Sequence, residues 1–251
     1  SDTPWPDAQY AVKPWQLIHH HVKSTHSTQT ELLTYQPFQP EQLILCTADT
    51  QTQGYGRRGT PWQSPPGSGL WCSLGVQVQS IEHPWSCIIG AMIAQSCKTQ
   101  GIHTTLKWPN DLLIQGQKCA GILIESTACE KGYHLCVGIG INLNPHPDLP
   151  DHSTTLSTHT PLDTHAFFLD LMKRLAHSLR QPEQTHWQTT WKQQLAYINE
   201  KVQIQTPESM ITGTVMRVLP NGHLLLPTPQ GPYITTTGSL HHLGQSTDPL
   251  N

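Results

Sequence analysis

Residues 51–62 read Gln-Thr-Gln-Gly-Tyr-Gly-Arg-Arg-Gly-Thr-Pro-Trp, bringing glycines, adjacent arginines and a closing tryptophan into one short loop. Glycine lets the backbone take positive φ and approach a ligand closely. Neighbouring guanidinium groups offer fixed forks of donors that suit a phosphate or a carboxylate. The loop therefore has the makings of an anion clamp. Three further clusters carry polar groups at strand ends: Lys107-Trp-Pro-Asn-Asp111, Lys118-Cys-Ala-Gly-Ile-Leu-Ile-Glu125 and Gly138-Ile-Gly-Ile-Asn142.

Each cluster alone is compatible with ordinary structure. Asn-Asp after a proline is turn chemistry, and Lys118 can be a solvated turn lysine after Gly116-Gln117. Gly54-Tyr-Gly-Arg-Arg-Gly59 matches the dinucleotide pattern G-x-G-x-x-G in letters only. Thr60-Pro61-Trp62 and then Pro65-Pro66-Gly67 follow it, and they cannot open the helix whose N-terminus would hold a pyrophosphate. What singles the clusters out is that all of them occur, in this order, within one stretch of chain.

The elements that must position them are legible from periodicity. Residues 16–24 read as a strand and residues 29–35 as a short helix behind a Ser/Thr cap. Residues 43–46 form a buried strand leading into the loop. After it, Leu70, Cys72, Leu74, Val76 and Val78 alternate as in a strand, and Trp85, Ile88, Ile89, Met92 and Ile93 follow helical spacing. Strand-like runs at 104–107, 112–114, 119–125 and 133–141 come next. Residues 144–161 read as a loop. Phe167, Phe168, Leu171, Met172, Leu175 and Leu179 mark an amphipathic helix, and a second helix is expected near 184–198. From Lys201 the chain turns to short strands broken by Pro and Gly, with a hairpin expected at Asn221-Gly222. Residues 1–14 read as an irregular lead-in.

A chain of 251 residues can bury a proper core in one large domain or one plus a small one. Charged residues are 12% and the net charge is −3, so no basic face advertises nucleic acid. No apolar run approaches the ~18 residues of a spanning helix, and no secretory leader pattern opens the sequence. A protein of the cytoplasm, without membrane partners, is expected. The seven cysteines are odd in number and form no Cys-x-x-Cys pair, so they read as reduced core residues. His19-His20-His21 invites a metal reading. Consecutive strand residues point to opposite faces, however, so the three cannot converge on one ion. No metal ligand set is assigned.

The ordered set resembles the biotin protein ligases, or biotin–[acetyl-CoA carboxylase] ligases. Their hallmarks are a Ser-Thr pair at a strand end, Gly-Arg-Gly-Arg-Arg-Gly, Lys-Trp-Pro-Asn-Asp, Lys-x-Ala-Gly-Ile-x-x-Glu and Gly-x-Gly-x-Asn. Ser27-Thr28 and the four clusters above supply them, and the resemblance spans residues 16–145. It implies an α+β fold: a mixed β-sheet with flanking helices, of class II synthetase-like type, over residues 1–199. A small SH3-like β-barrel over residues 200–251 would follow. It also implies ATP, biotin and Mg²⁺, with biotin activated to biotinyl-5′-AMP and passed to a lysine of a biotin carboxyl carrier domain. A monomer or homodimer is equally compatible.

Carried over by position, the resemblance gives Ser27, Thr28, Gln29, Gln51, Tyr55, Gly56, Arg57, Lys118 and Gly121 to biotin. Arg58, Trp62, Lys107, Asn110 and Asn142 fall to the nucleotide, and Lys118, Arg57 and Asp111 to the chemistry. Two positions depart from the pattern: Tyr55 replaces an arginine and Gln29 an asparagine. Too few residues precede the first strand here for the family's helix-turn-helix, so a monofunctional ligase is expected. A lipoate ligase of related fold and a non-catalytic biotin-responsive regulator are the alternatives. The glycine content of residues 54–62 predicts a loop that orders over the adenylate. Proteolysis at Arg57 or Arg58 should therefore slow when biotin and ATP are added, and unchanged cleavage would contradict this.

Overall fold

The computed structural model describes residues 3–244. The first part of the chain runs β1 (Gln16–Thr25), α1 (Thr28–Leu33), β2 (Gln42–Gln51), β3 (Gly69–Val78), α2 (Trp85–Thr99), β4 (Thr105–Lys107), β5 (Asp111–Ile114), β6 (Gln117–Cys129) and β7 (Gly132–Asn142). Helices α3 (Leu156–His159), α4 (Thr164–Arg180) and α5 (Trp187–Gln194) follow. These strands form one 7-stranded sheet in the order β1-β2-β3-β7-β6-β5-β4. β1 and β2 are parallel and the other neighbours antiparallel, so the sheet is mixed, as expected.

Alternation assigns each face. Leu43 and Leu45 of β2, Leu70 to Val78 in alternate positions of β3, and Leu135, Val137, Ile139 and Ile141 of β7 point to one side. There they meet Ile88, Ile89 and Met92 of α2 and Phe167, Phe168 and Leu171 of α4. Each such side chain, fully buried, contributes roughly 1.5–3 kcal/mol. Ile44, Cys46 and Cys136 point to the other side, under Leu32 of α1 and Phe38. Ser27 caps α1, its Oγ accepting from the backbone N–H of Gln29 at 3.1 Å and Thr30 at 3.4 Å. Beyond α1, the anion-clamp loop folds over this second face, its Trp62 resting on Gly121 and Gly140.

Three expectations need correction. Residues 144–161 are not wholly loop: α3 forms because Leu156 buries completely and the N–H of Ser157 donates to the carbonyl of Leu143 at 2.9 Å. The second helix ends at Gln194, because Ala196 N–H instead donates to the Leu106 carbonyl at 2.9 Å, and Tyr197 and Asn199 take φ of 59° and 63°. β2 runs on past Cys46 to Gln51, pairing with β3 as far as Ala48 and with β1 to its end. The alternation argument for the histidines stands. His19 Nε2 and His21 Nδ1 both reach Thr47 Oγ1, at 2.8 and 2.9 Å, while His20 stacks on Tyr35. All seven cysteines are free, and all but Cys129 are buried.

The remaining strands are β8 (Lys201–Gln205), β9 (Met210–Thr214), β10 (Arg217–Val218), β11 (Leu224–Thr228), β12 (Gly231–Thr235) and β13 (Ser239–His242). They pair as two antiparallel 3-stranded sheets, β13-β8-β9 and β10-β11-β12. This is consistent with the SH3-like expectation, with the strands in two sheets rather than one continuous barrel. Val202, Ile204, Val215, Leu224, Leu226 and Leu240 fill the space between them and join the core of the large sheet. The β10–β11 turn is the wedge of that junction. The Gly222 carbonyl accepts from Trp108 Nε1 at 2.9 Å, and a Cβ on Gly222 (φ 83°) would stand 2.4 Å from Pro84 Cβ. Gly222→Ala should therefore destabilise the protein by about 1–3 kcal/mol through backbone strain. A clear fall in Tm is the expected result; an unchanged Tm would show that this turn does not hold the two parts together.

Candidate functional site

The floor of the site is a row of residues directly opposite one another on the face that α2 and α4 leave free. Trp71, Gly140, Gly121, Asp111 and Lys107 stand in line across β3, β7, β6, β5 and β4. The next row is Cys46, Ser73, Gly138 and Leu123. The glycines leave a trough where a strand would otherwise raise side chains, and other groups lie in it. A Cβ on Gly140 would stand 2.5 Å from the indole of Trp62, and one on Gly138 would stand 2.8 Å from Gln29 Oε1.

Lys118 reaches the same face through a β-bulge. Ala120 pairs with Leu112 and Lys118 with Leu113, so Cys119 has no opposite residue. The extra residue shifts the alternation by one. Cys119 turns into the core, where its Sγ reaches the Leu112 carbonyl at 3.5 Å, and Lys118 turns to the trough. Its Nζ lies 2.9 Å from Asp111 Oδ1 and 5.2 Å from the centre of the Trp62 ring.

One end of the trough is neutral and polar. Gln51 Oε1 accepts from the backbone N–H of Thr28 at 2.8 Å, and Gln51 Nε2 donates to Ser64 Oγ at 2.8 Å. Thr28 Oγ1 lies 2.9 Å from Ser73 Oγ. The Tyr55 hydroxyl faces Ser27, Thr30 and Glu125, and burial raises its pKa first, with the Glu125 charge adding to it. Gln29 is 3% exposed, and neither its Nε2 nor its Oε1 has a partner. A buried amide left so costs about 1–3 kcal/mol per group.

The other end is cationic. Lys107, Arg57, Arg58 and Lys118 line it, with Asp111 among them. Burial lowers the pKa of Lys107, which Asp111 opposes and Lys118 reinforces. Burial and then Arg58 lower that of Arg57. Partly buried cations gathered around a single carboxylate favour a bound anion. The loop that carries the arginines is a tight hairpin, closed by Trp62 N–H to the Gly54 carbonyl at 2.8 Å and Gly56 N–H to the Thr60 carbonyl at 2.7 Å.

The wall above this end comes from the C-terminal strands. Arg57 Nη1 donates to the Gly238 carbonyl at 3.0 Å and Arg58 Nη1 to Ser239 Oγ at 3.3 Å. Ser239, Leu240 and His241 line the cleft.

Of the residues singled out in the sequence, Ser27, Thr28, Gln29, Gln51, Tyr55, Gly56, Arg57, Arg58 and Trp62 meet in this cleft, together with Lys107, Asn110, Asp111, Lys118 and Gly121. Asn142 does not join them: it sits at the end of β7 and donates from Nδ2 to the Thr154 carbonyl at 3.2 Å. Ser73 and the 239–241 strand are present but were not foreseen. Ser73 was hidden in an alternating strand, and residues 239–241 carry no motif and lie far along the chain.

Residues 21–142 match the model of the Biotin/lipoate A/B protein ligase family. The bifunctional ligase/repressor BirA of Bacillus subtilis is 38% identical over 149 residues, 57% of this chain and 45% of the relative. The biotin–[acetyl-CoA-carboxylase] ligase of Mycobacterium tuberculosis is 29% identical over 120 residues, 45% of this chain and 44% of the relative. The chain thus spans less than half the length of these curated relatives. Among solved structures, the Aquifex aeolicus biotin protein ligase in complex with biotin and ATP superposes with a TM-score of 0.75 at 27% identity, covering 88% of this chain and 97% of the other.

The trough makes a direct prediction. Gly140→Ala should drive the Trp62 indole from its seat, at an overpacking cost of about 1–3 kcal/mol. Acrylamide quenching, compared with the same pair in a Trp62→Phe background, should reveal one newly accessible tryptophan. Equal quenching would mean that Trp62 does not rest on Gly140.

Proposed function

We propose that the chain is a member of the biotin/lipoate A/B protein ligase family, whose model matches residues 21–142, and that it activates biotin with ATP and transfers it to a lysine of a biotin carboxyl carrier domain. The observation that carries the choice of acid is the buried, unpartnered amide of Gln29 at the neutral end of the trough. A cyclic urea offers a carbonyl acceptor beside N–H donors, the complement of a carboxamide. Ser27, Thr28, Gln51 and Tyr55 add hydroxyl and amide groups around it, and the Trp62 ring, which the resemblance gives to the nucleotide, lies over Gly121 and Gly140 and would also offer an apolar lining to the bicyclic body and its chain.

In the first step a carboxylate oxygen of biotin attacks the α-phosphorus of ATP, and the bond to the β-phosphate oxygen breaks to release pyrophosphate. Both partners are anions, so cations must offset their repulsion and the charge that builds between them. Lys118 and Arg57 stand where the neutral end passes into the cationic one. Arg58, Lys107 and Asn110 serve the nucleotide; Asn142, which the resemblance gives to the adenine, lies outside the cleft lining. Mg²⁺, where bound to the triphosphate, would offset part of its charge. In the second step a carrier lysine amine attacks the adenylate carbonyl, AMP leaves, and an amide remains. Asp111, paired with Lys118 in the cleft, would accept a proton from the incoming ammonium. The division is read as a catalytic part over residues 1–199 and a C-terminal part over 200–251, in a cytoplasmic enzyme.

The test is the intact mass of a biotin carrier domain after incubation with ATP and either biotin or lipoate. A gain of one biotinyl group with biotin alone is expected, and no gain with either acid would refute the reading. Lys118→Ala should lower single-turnover pyrophosphate release by on the order of 10²–10³ while circular dichroism stays native. Near-normal release from the folded variant would assign the charge to the arginines instead.

A further inference from the structure

His241 lies on β13, half-buried, in the wall that the C-terminal strands raise over the cationic end of the cleft. Alternation turns Leu240 into the core at 2% exposure and leaves Ser239 and His241 on one face. Ser239 holds Arg58 on that face. The ring of the next residue, His242, stacks on Tyr197 and pairs with Glu200, so those groups occupy the far side of the strand. The charged groups that share the cleft with His241 are Arg57 and Arg58 of the loop, Lys107 at the end of β4, Asp111 of β5 and Lys118 of β6. Positive charge prevails among them. His241 is thus the one titratable group of the cleft lining, among the described residues, whose ordinary pKa falls near neutrality.

We propose that His241 is a further ligand-contacting residue of this cleft: it meets the polyphosphate of an entering nucleoside triphosphate and takes up a proton as it does so. The inference rests on the nucleotide reading above and adds a residue and a proton to it. Burial and then Lys107 hold the imidazole below its ordinary value of 6.5 before the ligand arrives. A polyanion beside it reverses the local field, and an opposite charge at hydrogen-bond range raises a histidine pKa. The free-state pKa is the lower one and the bound-state pKa the higher. Between them the ring is neutral without ligand and charged with it. Binding therefore consumes protons in that window, around pH 6.5, and weakens as the pH rises through it. Neutrality in the free state also spares the cleft one more cation to hold together.

Calorimetric titration of the full chain with the α,β-methylene analogue of ATP and Mg²⁺, in buffers of different ionisation enthalpy, counts the protons. The wild type should take up a clear fraction of a proton more than His241→Asn near pH 6.5; subtraction cancels the ligand's own ionisation. Its affinity should also gain on the order of tenfold over the variant between pH 8 and pH 6, the worth of one pKa unit. His241→Lys, a fixed cation, should bind as tightly at pH 8 as at pH 6 and take up no extra proton. A residue needed only for shape would move none of these differences. Equal proton counts in wild type and His241→Asn, with binding intact, would overturn the inference and leave the nucleotide reading standing. Failure of the wild type to bind the analogue at all would overturn both.

Discussion

The site depends on the absence of side chains at Gly138, Gly140 and Gly121. Opposite positions on neighbouring strands normally bring Cβ atoms about 4.5–5.5 Å apart and cover the sheet. Here bare backbone lets the Trp62 indole and the Gln29 amide lie directly on the strands. The glycine-rich loop can fold down only because that floor is low. The loop in turn delivers Arg57 and Arg58 to the C-terminal strands, which finish the wall. Raise the floor by one methyl and each later contact is displaced.

The two ends of the trough differ in what they ask of a ligand. At the Gln29 end the demand is for matched donors and acceptors, since the buried amide gains nothing from charge alone. At the Lys107 end the demand is for negative charge, since four cationic side chains face one carboxylate of the lining. A molecule with a neutral ring at one end and an anion at the other answers both. That complementarity is what supports the proposal of an acid and a nucleotide as neighbours in this cleft.

Much of this was legible in the sequence because the determinants are local. The cap at Ser27, the alternation in β3, the spacing in α2 and α4 and the Asn221-Gly222 turn each act within a few residues. The cleft residues were found through a resemblance of ordered motifs, which fixed their order but not why they converge. Three things were out of reach. The short helix at Leu156 depends on a pocket made by distant strands. The end of α5 is decided by pairing with Leu106, which lies far away in the chain. Residues 239–241 have no composition of their own to mark them, and long-range contacts bring them over the site: the Gly222 turn on Trp108, and Arg57 and Arg58 on Gly238 and Ser239. Asn142, grouped with the site by its motif, is engaged by Thr154 instead.

The bulge at Cys119 makes the stretch between Leu112 and Gly121 a parity counter. With Cys119 unpaired, Asp111 and Lys118 fall on the same side of the sheet; the same residues in unbroken register would put them on opposite sides. What this segment must preserve is therefore its parity rather than its letters. Many residues could stand where Cys119 stands, provided they fit the core. Deleting Cys119 would leave Lys118 opposite Leu113 in unbroken register and still over the floor, whereas an added residue with the bulge retained would send the lysine inward.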